Sequence, residues 1–464
     1  MLSPVKQRPI CVSGHQSRSA IDTTAAYEQL VADFQRTGAP VEVDFRAMVS
    51  WLRMGDQLTH HLHPYPAKLL PHIAHFFLRA DTIKRQGATV LDPFCGSGTV
   101  ALEGSVAGYR SLVADANPLS LALTRVKTEP YVPQDLVTAV GRAVARARRY
   151  RSAPEIDVVN GHLWYSSTTK KSLERLLRAI REEENPAALN FLEICFSAIA
   201  RKMSNADPAV SVPVRLRTKD RLSSAANQKI INRLEWLAMA CPFEEFSRHA
   251  LQCIQRIEET NRAHPTRIGA RVVGHDARDL KCNGRRLPTA SVPLIITSPP
   301  YGSAQKYIRA TSLSLNWLQM AAPGELAALE SRSIGREHVA AFREVNKSNL
   351  PIPQEYSDVI ELIRKKNIVR AEITTRYLSE MAEAVKEMSR VLKPQGRAII
   401  IIGNNQVAGY TLRNDDFLIR AFAQNGIDLE TSLIDHIKSR GLMTKRNRTA
   451  SIISRESVLV FRKG

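Results

Sequence analysis

The chain has 464 residues, with 65 Lys+Arg against 45 Asp+Glu and a formal charge of +20. Hydrophobic residues make up 44% and charged residues 24%, the balance of an ordinary folded chain, which excludes global disorder. The positive surplus attracts polyanions, so nucleic acid is the first partner to consider and an acidic membrane surface the second.

The opening residues, MLSPVKQRPICVS, hold no continuous apolar stretch, and no signal peptide is expected. Residues 1–60 read as an N-terminal extension with few strand signals and one helix, Ala25 to Phe34. Pro64 and Pro66 keep the chain extended, because proline disfavours helix in the residue before it. Leu69 to Leu78 reads as a short amphipathic helix. Ala88 to Leu91 is a short apolar strand running into DPFCGSGT, followed by a helix, Val100 to Ala107, that Gly108 stops. Ser111 to Ala114 is a second strand, ending at Asp115. Strand, Gly-rich turn, helix, strand and acid in that order open a doubly wound α/β domain.

Over 131–267 strand signals nearly vanish. Leu136, Val137, Val140 and Val144 recur at helical spacing, with Arg142, Arg146 and Arg149 on another face. Leu189 to Ile199 and Asn232 to Ala240 are further apolar helices. The segment reads as a helical insertion. The α/β pattern resumes over 268–464. ARVVGHDARDL is a strand ending in Asp276, and Val292 to Thr297 is another, ending in Ser298-Pro299-Pro300-Tyr301. Residues 320–370 are polar and loop-like, with Pro351 and Pro353. Tyr377 to Leu392 is a helix, Lys393 to Gly396 a turn, Arg397 to Ile402 a buried strand and Ser457 to Phe461 a last strand. The strongest apolar run, Ala398 to Ile402, is far short of the roughly 18 residues a bilayer-spanning helix needs. No membrane segment is expected.

The six cysteines never form C-x-x-C, so neither a zinc site nor a disulfide framework is expected, and reduced thiols in a cytoplasm are the default. This excludes the zinc-dependent base deaminases. His60, His61 and His63 cluster without an acid or thiol nearby in the sequence, and no metal is expected there either.

Two constellations carry chemistry. The first is Asp92-Pro93-Phe94-Cys95-Gly96-Ser97-Gly98, at a strand end and a helix start. Glycines there let backbone approach a ligand, and ligands dock at strand C-termini of open α/β sheets. Asp115, at the next strand end, can bind both hydroxyls of a ribose. The turn is not a G-x-x-x-x-G-K-[ST] phosphate loop, and no Lys or Arg accompanies its glycines, which suits a cofactor with adenosine but no phosphate. Taken alone, it could equally be a structural left-handed turn. The second constellation is Ser298-Pro299-Pro300-Tyr301. Two prolines fix φ and set the direction of the carbonyl between them. A serine hydroxyl and that carbonyl can accept hydrogen bonds from an exocyclic amino group, and Tyr301 offers a face for a flipped base. Taken alone, it could be a Pro-Pro turn with a core tyrosine.

Together the two resemble the S-adenosylmethionine-dependent amino-group DNA methyltransferases, the Ser-Pro-Pro-Tyr type of the cytosine-N4 and adenine-N6 family. The resemblance covers about 61–130, 268–310 and 371–464. It implies a Rossmann-like class I methyltransferase sheet with helices on both faces, plus the helical insertion. It further implies that His63-Pro64-Tyr65-Pro66-Ala67-Lys68 lines the methionine end of S-adenosyl-L-methionine, with Tyr65 and Lys68 as contacts. VLDPFCGSGT becomes the cofactor motif (Asp92, Pro93, Phe94, Gly96, Gly98), Asp115 the ribose acid, and Asp276 the acid for the adenine amino group. Ser298, Pro299, Pro300 and Tyr301 become the catalytic residues. LKPQGRAIIIIG and ESVLVFRK resemble the late strands of the same sheet. No covalent cysteine is needed, and the Pro-Cys motif of C5-cytosine enzymes is absent: Cys241 precedes its proline.

A serine in first place is mostly a mark of cytosine-N4 enzymes, with adenine-N6 the alternative. Similar motifs serve RNA guanine-N2 and protein glutamine methylation, usually with Asp or Asn first. A retired, DNA-binding regulator on this fold is a further alternative, against which the intact Asp92, Gly96, Gly98 and Ser298 argue. Double-stranded DNA is the implied partner, with a cognate restriction endonuclease beside it and a cytoplasmic setting. The insertion is the candidate target-recognition region and the 320–370 segment its rival. Basic runs at 141–151 and 438–448 suit phosphate contacts, with Arg142, Arg146, Arg149, Lys445, Arg446 and Arg448 as candidates. Arg201 and Lys202, and RLRTKDR at 215–221, add groups able to read base edges. Tyr307 and Arg309 are expected to pack their helix.

Overall fold

The computed structural model describes residues 22–49, 58–66, 68–84, 87–302, 306–336, 352–437 and 454–464. Among them, eight strands form one sheet: β1 (Val41–Val43), β2 (Thr89–Asp92), β3 (Arg110–Val113), β4 (Arg271–Val272), β5 (Val292–Thr297), β6 (Leu392–Ile402), β7 (Ile427–His436) and β8 (Arg455–Lys463). Their order is β1-β7-β8-β6-β5-β2-β3-β4. Of these strands only β8 runs antiparallel to its neighbours β7 and β6; every other pair is parallel. This is a Rossmann-like α/β sheet.

Side chains alternate across the sheet with a period of two. Leu294, Ile296, Ile399, Ile401, Val458 and Val460 face one layer, where helices α1 (Thr24–Thr37), α2 (Pro71–Leu78) and α3 (Thr99–Val106) pack. Ile295, Ala398, Ile400, Ile402, Leu459 and Phe461 face the other. There the layer is completed by residues of later helices, among them Leu378 and Met388, and Phe417 and Phe422. Burial on both faces is why β5 and the end of β6 read as continuous apolar runs.

α4 (Pro118–Thr128) follows β3 and leads into the inserted helices α5 (Pro133–Arg149), α6 (Ser167–Arg181), α7 (Pro186–Lys202), α8 (Ser224–Met239) and α9 (Pro242–Ala263). Their apolar faces merge into one core that also takes in Leu62, Tyr65 and, from α10 (Tyr307–Trp317), Leu313 and Trp317. The Trp317 indole donates to the Tyr165 hydroxyl at 2.9 Å and meets the Phe196 ring edge-on. The two ends of the insertion are tied together. The Arg267 guanidinium donates to the carbonyls of Lys127, Thr128 and Glu129 at 3.2, 3.0 and 2.6 Å, and Asn261 Nδ2 donates to the Tyr131 carbonyl at 2.8 Å. A guanidinium is a suitable cap for the free carbonyls at the C-terminus of α4.

Four expectations change. The N-terminal extension supplies β1, which pairs with the edge of β7; at three residues it is too short to show a periodic signal. The strand expected over ARVVGHD contracts to Arg271–Val272, although the Val273 amide still donates to the Val113 carbonyl. The turn at Lys393–Gly396 lies inside β6 as an irregularity: the β5 register slips between Val292 and Leu294, and Gln395 takes φ +61°. Within 320–370, α11 (Gln354–Lys366) is an amphipathic helix where a loop was expected, leading into α12 (Ile368–Val391); Pro351 lies outside the described residues. α13 (Asn414–Ala423) precedes β7. Among the described residues no helix is long and apolar enough to cross a membrane.

Candidate active site

The C-terminal ends of β2, β3 and β5 meet at one cleft of about 690 Å³. Its wall includes Tyr65, Pro93, Phe94, Gly96, Asp115, Asn117, Asp276, Ser298, Pro300, Tyr307, Arg332 and Ile334. Both constellations therefore reach one space, as ligand docking at strand ends requires.

Asp92 ends β2 beside Thr297, the end of β5. The Thr297 hydroxyl donates to Asp92 Oδ1 at 2.6 Å, and the Phe94 amide donates to the same oxygen at 3.2 Å. Burial pushes the Asp92 carboxyl up to about 7. It joins two strand ends and is not part of the cleft wall. Gly96 (φ +47°) turns the chain so that its amide donates to Asp115 Oδ2 at 2.8 Å. The Asn117 amide donates to Asp115 Oδ1, also at 2.8 Å. Burial raises the Asp115 carboxyl to about 6, against these two hydrogen bonds. Gly98 (φ +75°) serves helix packing: a Cβ there would stand 2.6 Å from Thr124 Oγ1 and 3.0 Å from Thr124 Cα.

The Tyr65 hydroxyl lies 2.6 Å from Ser120 Oγ and takes a hydrogen bond from Asn117 Nδ2 at 3.4 Å, which holds its ring in the wall. Lys68 is elsewhere: its ammonium donates to the carbonyls of His60 and His63 at 3.3 Å, closing its own loop. Asp276 lies in the wall with its carboxylate gripped by Arg278 through Nε and Nη2 at 2.9 and 2.7 Å. Arg278 also pairs with Glu380 at 3.1 Å, and Glu380 with Arg336 at 2.6 Å.

Ser298 Oγ sits 3.1 Å from the Tyr301 hydroxyl, which donates to Glu456 Oε1 at 2.8 Å. Burial raises both the Tyr301 phenol and the Glu456 carboxyl. The Tyr377 hydroxyl donates to the Pro300 carbonyl at 2.9 Å. Gly335 (φ +77°) lies directly against this turn; a Cβ there would stand 2.5 Å from the Gly302 carbonyl oxygen and 2.8 Å from Pro300 Cβ. Sequence reasoning missed Glu456, Tyr377 and Gly335, and it assigned Tyr307 to packing, whereas Tyr307 lines the cleft. Glu456 had a weak signal, as the acid that opens ESVLVF.

The basic candidates are largely engaged inside the protein. Arg142 donates to both oxygens of Glu183 at 2.8 Å, and Arg146 donates to the Glu182 carbonyl at 3.0 Å. Arg149 is exposed, with Nε donating to the Ala145 carbonyl in its own helix. Arg201 donates to the carbonyls of Val210 and Ser211, and Lys202 pairs with Glu245 at 2.7 Å. Arg215 and Arg217 are exposed on the loop after α7. Lys445, Arg446 and Arg448 lie outside the described residues.

The wall suits an adenosine-bearing cationic cofactor. Two carboxylates, Asp115 and Asp276, stand among apolar Phe94, Ala277 and Ile334, and Arg332 is the one cation among the described lining residues. A polyphosphate would be repelled by the Asp115 carboxylate there.

Residues 292–464 match a family described as DNA methylase, the N6/N4 methyltransferases, and residues 61–149 match one described as RMKL-like, methyltransferase domain. The chain is 23% identical over 422 residues to the type II methyltransferase M.MvaI of Kocuria varians, spanning 85% of this chain and 88% of that one. It is 32% identical over 77 residues to the type II methyltransferase M.MjaII of Methanocaldococcus jannaschii, spanning 17% and 14%. A solved structure from Thermus thermophilus, named a candidate DNA modification methylase and complexed with S-adenosyl-L-methionine, aligns at TM-score 0.19 with 19% identity over 38% of this chain and 49% of that one.

Proposed function

For a chain that belongs to the amino-group DNA methyltransferases of the N4/N6 family, with S-adenosyl-L-methionine as cofactor, we propose that the methyl group goes to the exocyclic N4 of cytosine in duplex DNA. The observation that carries this reading is Ser298 in the cleft wall, its hydroxyl beside the Tyr301 phenol. The cofactor supplies an electrophilic methyl group on a sulfonium. The chain's own groups hold the acceptor. Ser298 Oγ accepts a hydrogen bond from the amino group, and the Pro299 carbonyl accepts a second. Glu456 fixes the Tyr301 hydroxyl, so the ring face is set for stacking a flipped base. Tyr377 holds the Pro300 carbonyl and thereby the direction of the turn. Positioning of this kind supplies much of the rate. Tyr65, Phe94, Gly96, Asp115 and Asp276 are the residues we assign to the cofactor. The helices of 131–267 are our candidate for target recognition, with Arg215 and Arg217 exposed on the loop between two of them. A role beside a cognate restriction endonuclease, in a cytoplasm, is part of this proposal; two relatives are named type II methyltransferases.

Mass spectrometry of nucleosides from DNA treated with the enzyme is expected to show N4-methyldeoxycytidine. N6-methyldeoxyadenosine in its place would transfer the assignment to adenine.

Cofactor affinity should depend on pH through Asp115. Its carboxyl is held at about 6, above the ordinary 3.8, so part of it is protonated near pH 6. Binding a sulfonium cation favours the ionised form, so the dissociation constant should fall as pH rises from about 5 to about 8. Calorimetric titrations over that range should show the slope in the wild type and a flatter profile in Asp115→Asn. A wild-type profile with no slope would remove Asp115 from the cofactor site.

A further inference from the structure

The cysteines carry no paired spacing in sequence, yet helix packing gathers two of them with a histidine. His249 and Cys253 sit one turn apart on α9, and Cys195 faces them from α7. Their ligand atoms all lie within 4.8 Å of one another. Cys253 Sγ is 3.5 Å from His249 Nε2. The Leu62 carbonyl oxygen is 3.2 Å from His249 Nε2 and 3.8 Å from Cys253 Sγ. Cys195 and Cys253 are 1% and 2% exposed, with His249 half-buried. Zinc bonds of about 2.3 Å to sulfur and about 2.0–2.2 Å to nitrogen or oxygen give tetrahedron edges of roughly 3.3–3.8 Å. The three measured separations are close to such edges.

We propose that Cys195, His249, Cys253 and the Leu62 carbonyl form a structural zinc site that fastens the inserted helices to the segment 58–66. Two thiolates balance the charge of the dication, and the imidazole and carbonyl are neutral, so the buried assembly carries no net charge. Binding releases the two thiol protons to solvent and involves no redox change. Soft thiolates with an imidazole select zinc over magnesium or calcium. In the metal-free protein His249 Nε2–H donates to the Leu62 carbonyl; with zinc bound, the ring proton is carried on Nδ1 instead, and Nε2 and the carbonyl oxygen turn their lone pairs to the ion. Tyr65, three residues after Leu62, lines the active cleft, so the site braces one cleft wall from behind.

The test uses the full chain. Elemental analysis after dialysis against zinc should give about one zinc per chain. Cobalt substitution should give thiolate-to-cobalt charge-transfer absorption. Both should be lost in Cys253→Ser and kept in Cys241→Ser and Cys282→Ser. Chelation should lower the melting temperature by roughly 5 °C or more. If Cys253→Ser does not fold, peptide-level alkylation of the wild type with and without chelator decides: removing zinc should speed modification of Cys195 and Cys253 and leave the rate at Cys241 unchanged. Substoichiometric zinc with both thiols freely alkylated would overturn the proposal. So would a Cys195–Cys253 disulfide in unreduced protein, or a cobalt spectrum that survives Cys253→Ser.

Discussion

Ser298→Ala is expected to lower turnover by about 10²–10³-fold and to leave the dissociation constant for S-adenosylmethionine within about twofold. The hydroxyl is in the cleft wall, and its protein contact is the Tyr301 phenol at 3.1 Å. Tyr301 keeps its hydrogen bond to Glu456 when that contact goes, so the turn should hold its shape. The loss therefore falls on the group that meets the amino nitrogen. Single-turnover transfer of labelled methyl to mixed-sequence duplex DNA reads the chemical step, and calorimetry reads the cofactor. Turnover within about threefold of wild type would remove Ser298 from the reaction.

Gly335→Ala is expected to lower turnover by about 10–100-fold and folding stability by about 1–3 kcal/mol. An alanine Cβ would stand 2.5 Å from the Gly302 carbonyl and 2.8 Å from Pro300 Cβ, at a φ of +77°. Both obstacles belong to the catalytic turn, and one of them is backbone, so the turn itself must move. A displacement of about 1 Å is enough to disrupt a positioned acceptor. Gly324→Ala is the control, because nothing lies within 4 Å of its added methyl. Equal turnover in the two variants would show that the segment around Gly335 does not shape the turn.

Apart from Tyr65, the residues that sequence reasoning placed in the cleft are those at or just after strand ends. Asp115 and Ser298 each close a short apolar run, and strand C-termini of an open parallel sheet share one edge. Glycine at Gly96 was legible for the same local reason. What stayed hidden reaches the site by packing. Glu456 meets Tyr301 across 155 residues of chain, and Tyr377 meets Pro300 across 77. Asp92 was legible as a key acid but not as a joint, because its partner Thr297 is 205 residues away. The arginines of α5 showed as a charged face, but sequence could not show that Glu183 would occupy Arg142. His249 and Cys253 were one helical turn apart in plain sight; their third partner came from another helix.

The Arg267 clamp bears on the entropic cost of assembling the chain. Joining Asp92 to Thr297 closes a loop of 205 residues, an entropic cost of about 5 kcal/mol for a flexible chain. The inserted helices share one core, most of it drawn from within the insertion. Once they have formed and Arg267 has tied residues 127–129 to the far end of α9, the flexible part of that loop shrinks to roughly a third. The remaining closure is then easier by about 1 kcal/mol. The clamped insertion between the third and fourth strands thus lowers the entropic cost of pairing the two halves of the sheet across so long a chain separation.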